Sequence, residues 1–173
     1  MKKIIFPMLV LPLMALCFSM TLNAQSSEQD LDQVELMKQF IGKWIAEIDE
    51  DTTQTWEAIP LEKGYEVNVT WQAKGETFQT GKGIMGFTWK YQTVNWYHLW
   101  PSGYISRDMG KFISDKKMTM DRFTADHKHI TASMEVNFIS PDKFKVIFTS
   151  RVWKEDSWVD DKVTESIYTR VKK

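Results

Sequence analysis

Apolar residues recur at helical spacing in one place along this chain. Leu31, Val34, Met37 and Ile41, with Phe40 beside them, share a face and predict an amphipathic helix over residues 28–40. Ser27-Glu28-Gln29-Asp30 supplies an N-capping hydroxyl and first-turn acids, which the helix dipole favours. Gly42 is placed to end the helix. Beyond it the period changes from 3.6 to 2 and does not return. Tyr65, Val67, Val69 and Trp71 alternate with Glu66, Asn68, Thr70 and Gln72. Ile130, Ala132, Met134, Val136 and Phe138 alternate with Thr131, Ser133, Glu135 and Asn137, and Phe144, Val146 and Phe148 with Lys143 and Lys145. Each run is a strand with one buried face.

Turn residues divide the rest. Glu62-Lys63-Gly64, Lys74-Gly75, Pro101-Ser102-Gly103, Ser114-Asp115-Lys116, Ala125-Asp126-His127, Ser140-Pro141-Asp142 and Glu155-Asp156-Ser157 fall between the apolar runs. They predict about ten strands, at 43–49, 53–59, 64–73, 76–86, 89–100, 104–113, 117–124, 129–139, 143–153 and 158–171. Short links between long sequential strands make antiparallel neighbours. An open meander of that size would leave edges exposed to aggregation, whereas closure into an up-and-down barrel removes the edges and encloses space. The predicted fold is therefore all-β, a closed antiparallel barrel behind one short helix, with a two-sheet sandwich as the alternative.

The first residues read as an address rather than as fold. Met1-Lys2-Lys3 is a short positive region, residues 4–18 are almost wholly apolar, and Asn23-Ala24 leads into Gln25-Ser26-Ser27. This is the layout of a secretory signal peptide cleaved after Ala24, leaving residues 25–173 as a single domain. Leu22 departs from the small residue preferred before the cleavage site. An uncleaved anchor and a lipoprotein linked through Cys17 are the alternatives; Pro7 and Pro12 argue against the first, and bulky Leu16 against the second. The expected location is periplasmic or extracellular, with no stable membrane span after cleavage.

Composition narrows the chemistry. The 22 Lys and Arg nearly balance 23 Asp and Glu, so no basic surface for nucleic acid is expected. Cleavage would remove the single cysteine, and with it any disulfide, Cys-ligated zinc or cysteine nucleophile. The chain is rich in rings, with eight Trp, five Tyr and ten Phe, the large side chains that dominate core and interface burial. It carries no Gly-x-Ser-x-Gly elbow, His-Glu-x-x-His helix, P-loop or dinucleotide fingerprint.

A helix followed by Phe40-Ile41-Gly42-Lys43-Trp44, then a meander ending in Tyr168-Thr169-Arg170, resembles the calycin pattern of lipocalins and fatty-acid-binding proteins. More closely, it resembles small secreted bacterial domains of unknown function with a lipocalin-like barrel, which carry a mid-chain Gly-aromatic turn, here Gly86-Phe87-Thr88. The resemblance implies that Gly42, Trp44 and Arg170 are structural, with the Arg170 guanidinium packed across the Trp44 indole. A planar cation on an aromatic face suits that role. Fatty-acid-binding proteins hold a carboxylate with Arg and Tyr two apart in the last strand. Here the order is Tyr168 then Arg170, which favours the structural role for Arg170.

The densest chemistry lies at residues 96–108. Val94, Trp96, His98 and Trp100 share a face of the fifth strand, with Tyr104 and Arg107 across the Pro-Ser-Gly turn. Candidate ligand-binding residues are Trp71, Trp96, His98, Trp100, Tyr104, Arg107 and Arg151, as aromatic walls with polar anchors. The alternative is that these rings are ordinary core. His98 has no carboxylate or second His at ligand spacing, and the pair His127 and His129 reads as surface. No metal and no cofactor are expected. Haem is left open by related haem-binding barrels, although no His falls in the last two predicted strands. Asp49-Glu50-Asp51 reads as a solvated turn rather than a calcium site.

The leading expectation is an exported barrel holding a small apolar or amphipathic molecule. A calycin-type enzyme with His98 as base and Arg107 or Arg151 stabilising charge is a second reading. An interaction or self-association module with a filled barrel is a third.

Overall fold

The computed structural model describes residues 31–124 and 126–172; the leader, its cleavage site and Cys17 lie outside them. A short α-helix, α1 (Gln33–Met37), runs into a 3-10 turn at Lys38–Phe40. Ten strands follow: β1 (Gly42–Glu47), β2 (Thr52–Leu61), β3 (Gly64–Ala73), β4 (Glu76–Thr88), β5 (Thr93–Leu99), β6 (Ile105–Ser114), β7 (Lys117–Phe123), β8 (Ile130–Ser140), β9 (Lys143–Lys154) and β10 (Ser157–Arg170). Every strand pairs antiparallel with its sequence neighbours. β1 also pairs with β10, with Trp44 opposite Arg170, so the sheet closes into a barrel. The predicted meander and its closure are both present. Among the described residues, no helix is long and apolar enough to cross a membrane.

Two predicted boundaries move. The helix was expected from residue 28, but within the described residues its cap is Asp32, whose carboxylate accepts from the Glu35 N–H at 2.9 Å. A capping carboxylate withdraws its own residue from the helix, and Leu31 packs against the core instead. The helical turns end at Phe40, the expected limit, and Gly42 opens β1 at φ +108° rather than capping the helix. The fifth strand was expected from residue 89, but Trp89–Gln92 form a turn with Gln92 at φ +52°. Trp89 and Tyr91 imitate strand alternation, yet both are exposed. Gly86-Phe87-Thr88 accordingly ends β4 rather than forming a turn itself.

One end of the barrel is packed solid beneath α1. The Phe40 ring meets Trp56 at 5.1 Å, Phe138 at 5.0 Å and Phe144 at 5.9 Å between centroids. Gln33 pins the helix to β6 through a reciprocal pair: its Nε2 donates to the Phe112 carbonyl at 3.0 Å, and the Phe112 N–H donates to its Oε1 at 2.7 Å. Trp44, wholly buried, donates its indole N–H to the Phe40 carbonyl at 2.9 Å. The Arg170 guanidinium lies 4.0 Å from the Trp44 ring centroid, as the resemblance implied. It donates to the carbonyls of Pro141, Gln39 and Ile41 and pairs with Asp142. Glycine suits position 42 because its φ is positive, and a Cβ there would stand 2.9 Å from Arg170 Nη1 and push against the guanidinium.

Candidate ligand cavity

Strand alternation points one residue in two toward the barrel axis. Above the packed end those inward side chains do not meet, and they leave a cavity of about 290 Å³. A drug-sized ligand needs a site of this order. Its floor is Phe40, Trp56 and Phe144, and its apolar wall is completed by Val69, Met85, Met120, Met134, Val136, Val146 and Phe148.

Four predicted site residues lie on this wall. Trp71 comes from β3, and Trp96, His98 and Trp100 come from β5 and its end. The rings of Trp56, Trp96, His98 and Trp100 form a chain with centroid separations of 5.7, 4.1 and 5.5 Å. Inward glycines on β4 make room for two of them. A Cβ on Gly83 would stand 2.5 Å from His98 Cδ2, and one on Gly81 would stand 2.9 Å from the Trp100 ring. The Gly81-Lys82-Gly83 spacing thus lets the His98 and Trp100 rings lie against bare backbone.

The other three predicted residues stand elsewhere. Arg107 is on the outer face of β6, over the Tyr97 ring at 5.3 Å and donating to Asn95 Oδ1 at 3.1 Å. Its neighbours Ser106 and Asp108 take the inward positions and are buried. Arg151, beyond the cavity on β9, pairs with Asp160 at 2.8 Å beside a register shift in β10. Tyr104 is exposed in the turn after Trp100, although its phenol is among the groups whose field reaches Arg122. His127 and His129 are exposed, as expected of a surface pair, and they diverge: His127 faces Arg107, whereas His129 lies between Trp153 and Trp158.

The cation that does line the cavity is Arg122, on β7 behind the inward Met118 and Met120. Asp108, opposite it on β6 and 2% exposed, takes two of its nitrogens, Nε at 2.7 Å and Nη2 at 3.0 Å. The guanidinium also lies over the Phe148 ring at 5.3 Å. Burial pulls its proton affinity down, but the hydrogen bonds and charge of Asp108 outweigh that and hold it above its ordinary value. Tyr168, on β10, donates its hydroxyl to Gln54 Oε1 and stacks on Phe144 at 4.8 Å. Burial pushes that phenol up, so it stays a donor at all ordinary pH.

His98 is 3% exposed, and neither ring nitrogen has a hydrogen-bond partner among the described residues. Burial, aided by the positive charge of Arg122, lowers its pKa to about 3, so the ring is neutral at physiological pH. Ser106, in register with it, is engaged instead by the Trp100 indole N–H at 3.4 Å. A general base at His98 would need an acidic or hydroxyl partner in reach, and His98 has none among the described residues. Nor do three or more His, Cys, Asp or Glu cluster as a metal site among these residues.

The fold and site define a class, a closed ten-stranded antiparallel barrel with an aromatic-walled interior cavity. No protein-family model matches the chain, and no curated protein matches it.

Proposed function

We propose that this protein is an exported, lipocalin-like container for one small molecule with a largely apolar body. The observation that carries this reading is the hollow itself: beyond the plug of Phe40, Trp56 and Phe144, apolar and aromatic side chains surround about 290 Å³ that they do not fill. Burying an apolar surface there yields about 25 cal/mol per Å² removed from water. Arg122 and Tyr168, two of the polar groups on the wall, are held in place by Asp108 and Gln54, which suits orientation of a ligand rather than bond making. Calycin likeness is supported by the Arg170–Trp44 stack at the closed end. Export rests on the leader pattern of residues 1–24, and protein recovered from cells with an intact Met1 would count against it.

The neutral fluorophore N-phenyl-1-naphthylamine tests the container. It should bind at one site with a dissociation constant of about micromolar order and quench the cavity tryptophans. Met134→Trp, which adds bulk to the β8 side of the cavity wall, should abolish that binding in a protein that still unfolds cooperatively. Equal binding by the filled variant, or none by the parent, would refute the proposal.

A further inference from the structure

The charges on the cavity wall carry the functional reading one step further, to the class of molecule bound, and the step rests on that reading. Arg122 is the one Lys or Arg among the described residues that line the cavity. Asp108 occupies its Nε and Nη2, while Nη1 has no partner among the described residues and is not among the occluded side-chain nitrogens. The site therefore offers free N–H donors on a group whose charge is already cancelled. The remaining polar groups on the wall are His98, Gln54, Thr164, Ser166, Tyr168 and the indole N–H groups of the tryptophans, and none of them brings positive charge.

We propose that the cavity selects an uncharged molecule bearing a carbonyl oxygen, an ester, amide or ketone on an apolar body, and that Asp108 is the residue that turns carboxylates away. A carbonyl oxygen accepts from Arg122 Nη1 and brings no charge into a low-dielectric interior. A carboxylate would accept the same bonds, but it would leave two anions sharing one cation in an apolar chamber. The cost of burying the uncompensated charge then outweighs the stronger hydrogen bond. An alkane would fill the same space and leave the Arg122 donors without an acceptor.

Calorimetric titration with methyl decanoate, decanoate and undecane at neutral pH separates these cases. The ester should bind about tenfold or more tighter than either of the other two, a ratio of the size one satisfied charged-donor hydrogen bond produces. Asp108→Asn removes the competing anion and leaves the cation, so decanoate should gain on the ester by about tenfold or overtake it. If Asp108→Asn does not fold, the paired replacement Asp108→Leu with Arg122→Met removes both charges, and ester and undecane should then bind alike. Decanoate or undecane matching the ester on the parent protein would overturn the inference while leaving the container standing. So would an ester-to-decanoate ratio unmoved in folded Asp108→Asn, or an ester advantage that survives the paired replacement. If none of the three binds the parent protein, the container itself fails, and the inference fails with it.

Discussion

Replacing Arg122 with leucine should destabilise the barrel by about 3–5 kcal/mol, the range for stripping one partner from a buried ion pair. The cause is what remains. Asp108 is 2% exposed, and the two hydrogen bonds that compensate its carboxylate both come from Arg122. Trp96 stands directly across from it in register, but its buried indole N–H makes no hydrogen bond to Asp108 or to any other described residue. The double replacement Asp108→Leu with Arg122→Leu should recover most of that loss, because it exchanges a solvated-out pair for apolar packing of similar volume. Urea unfolding of the parent, both single variants and the double closes the cycle. A single Arg122→Leu loss under about 1 kcal/mol, typical of an exposed pair, would show that water reaches Asp108 and that the pair is not part of the interior.

The same pair marks where the sequence stopped being legible. On β3, β8 and β9 the inward face is apolar and the outward face polar, so the strands and their inward residues can be read directly; Trp71 lies on such a face and lines the cavity. β6 reverses the pattern. Its inward face is Ser106, Asp108, Gly110 and Phe112, while Ile105, Arg107, Met109, Lys111 and Ile113 face out. Hydrophobicity on that strand points the wrong way, and Arg107 looks like the cation nearest the aromatic run. The signal that does locate the interior cation is on β7, where Arg122 follows Met118 and Met120 at strict spacing of two. A charge on an apolar face is easily discounted in sequence, because its cost is met by a partner on another strand, here 14 residues away. Closure was legible for a different reason: ten long strands have no economical way to hide two edges except by joining them.

Acid should destabilise this barrel earlier than its exposed carboxylates require, and His98 is the cause. In an unfolded chain this imidazole takes up a proton near pH 6.5. In the barrel, burial against Trp96, Trp100 and the bare backbone of Gly83, with Arg122 adding positive charge, holds its pKa to about 3. Between those two values the unfolded chain binds a proton that the folded chain refuses, so stability falls as the pH falls through that window and is complete above it. Each unit costs about 1.4 kcal/mol, so two units of acidification, from 6.5 to 4.5, remove about 3 kcal/mol, and the full window removes on the order of 5 kcal/mol. His98→Leu keeps an apolar side chain against Gly83 and has no proton to take up. Its unfolding free energy should therefore lose about 2–3 kcal/mol less than that of the parent between pH 7.5 and 4.5, by urea titration at each pH. Asp126 and Glu135, whose carboxyls are held below their ordinary values by hydrogen bonds from Thr124 and Lys117 respectively, titrate identically in both proteins and cancel in the difference. Parallel pH profiles for the two proteins would mean that His98 accepts its proton in the folded state, and the ring would then have to reach water or a carboxylate through a movement of the β5 wall.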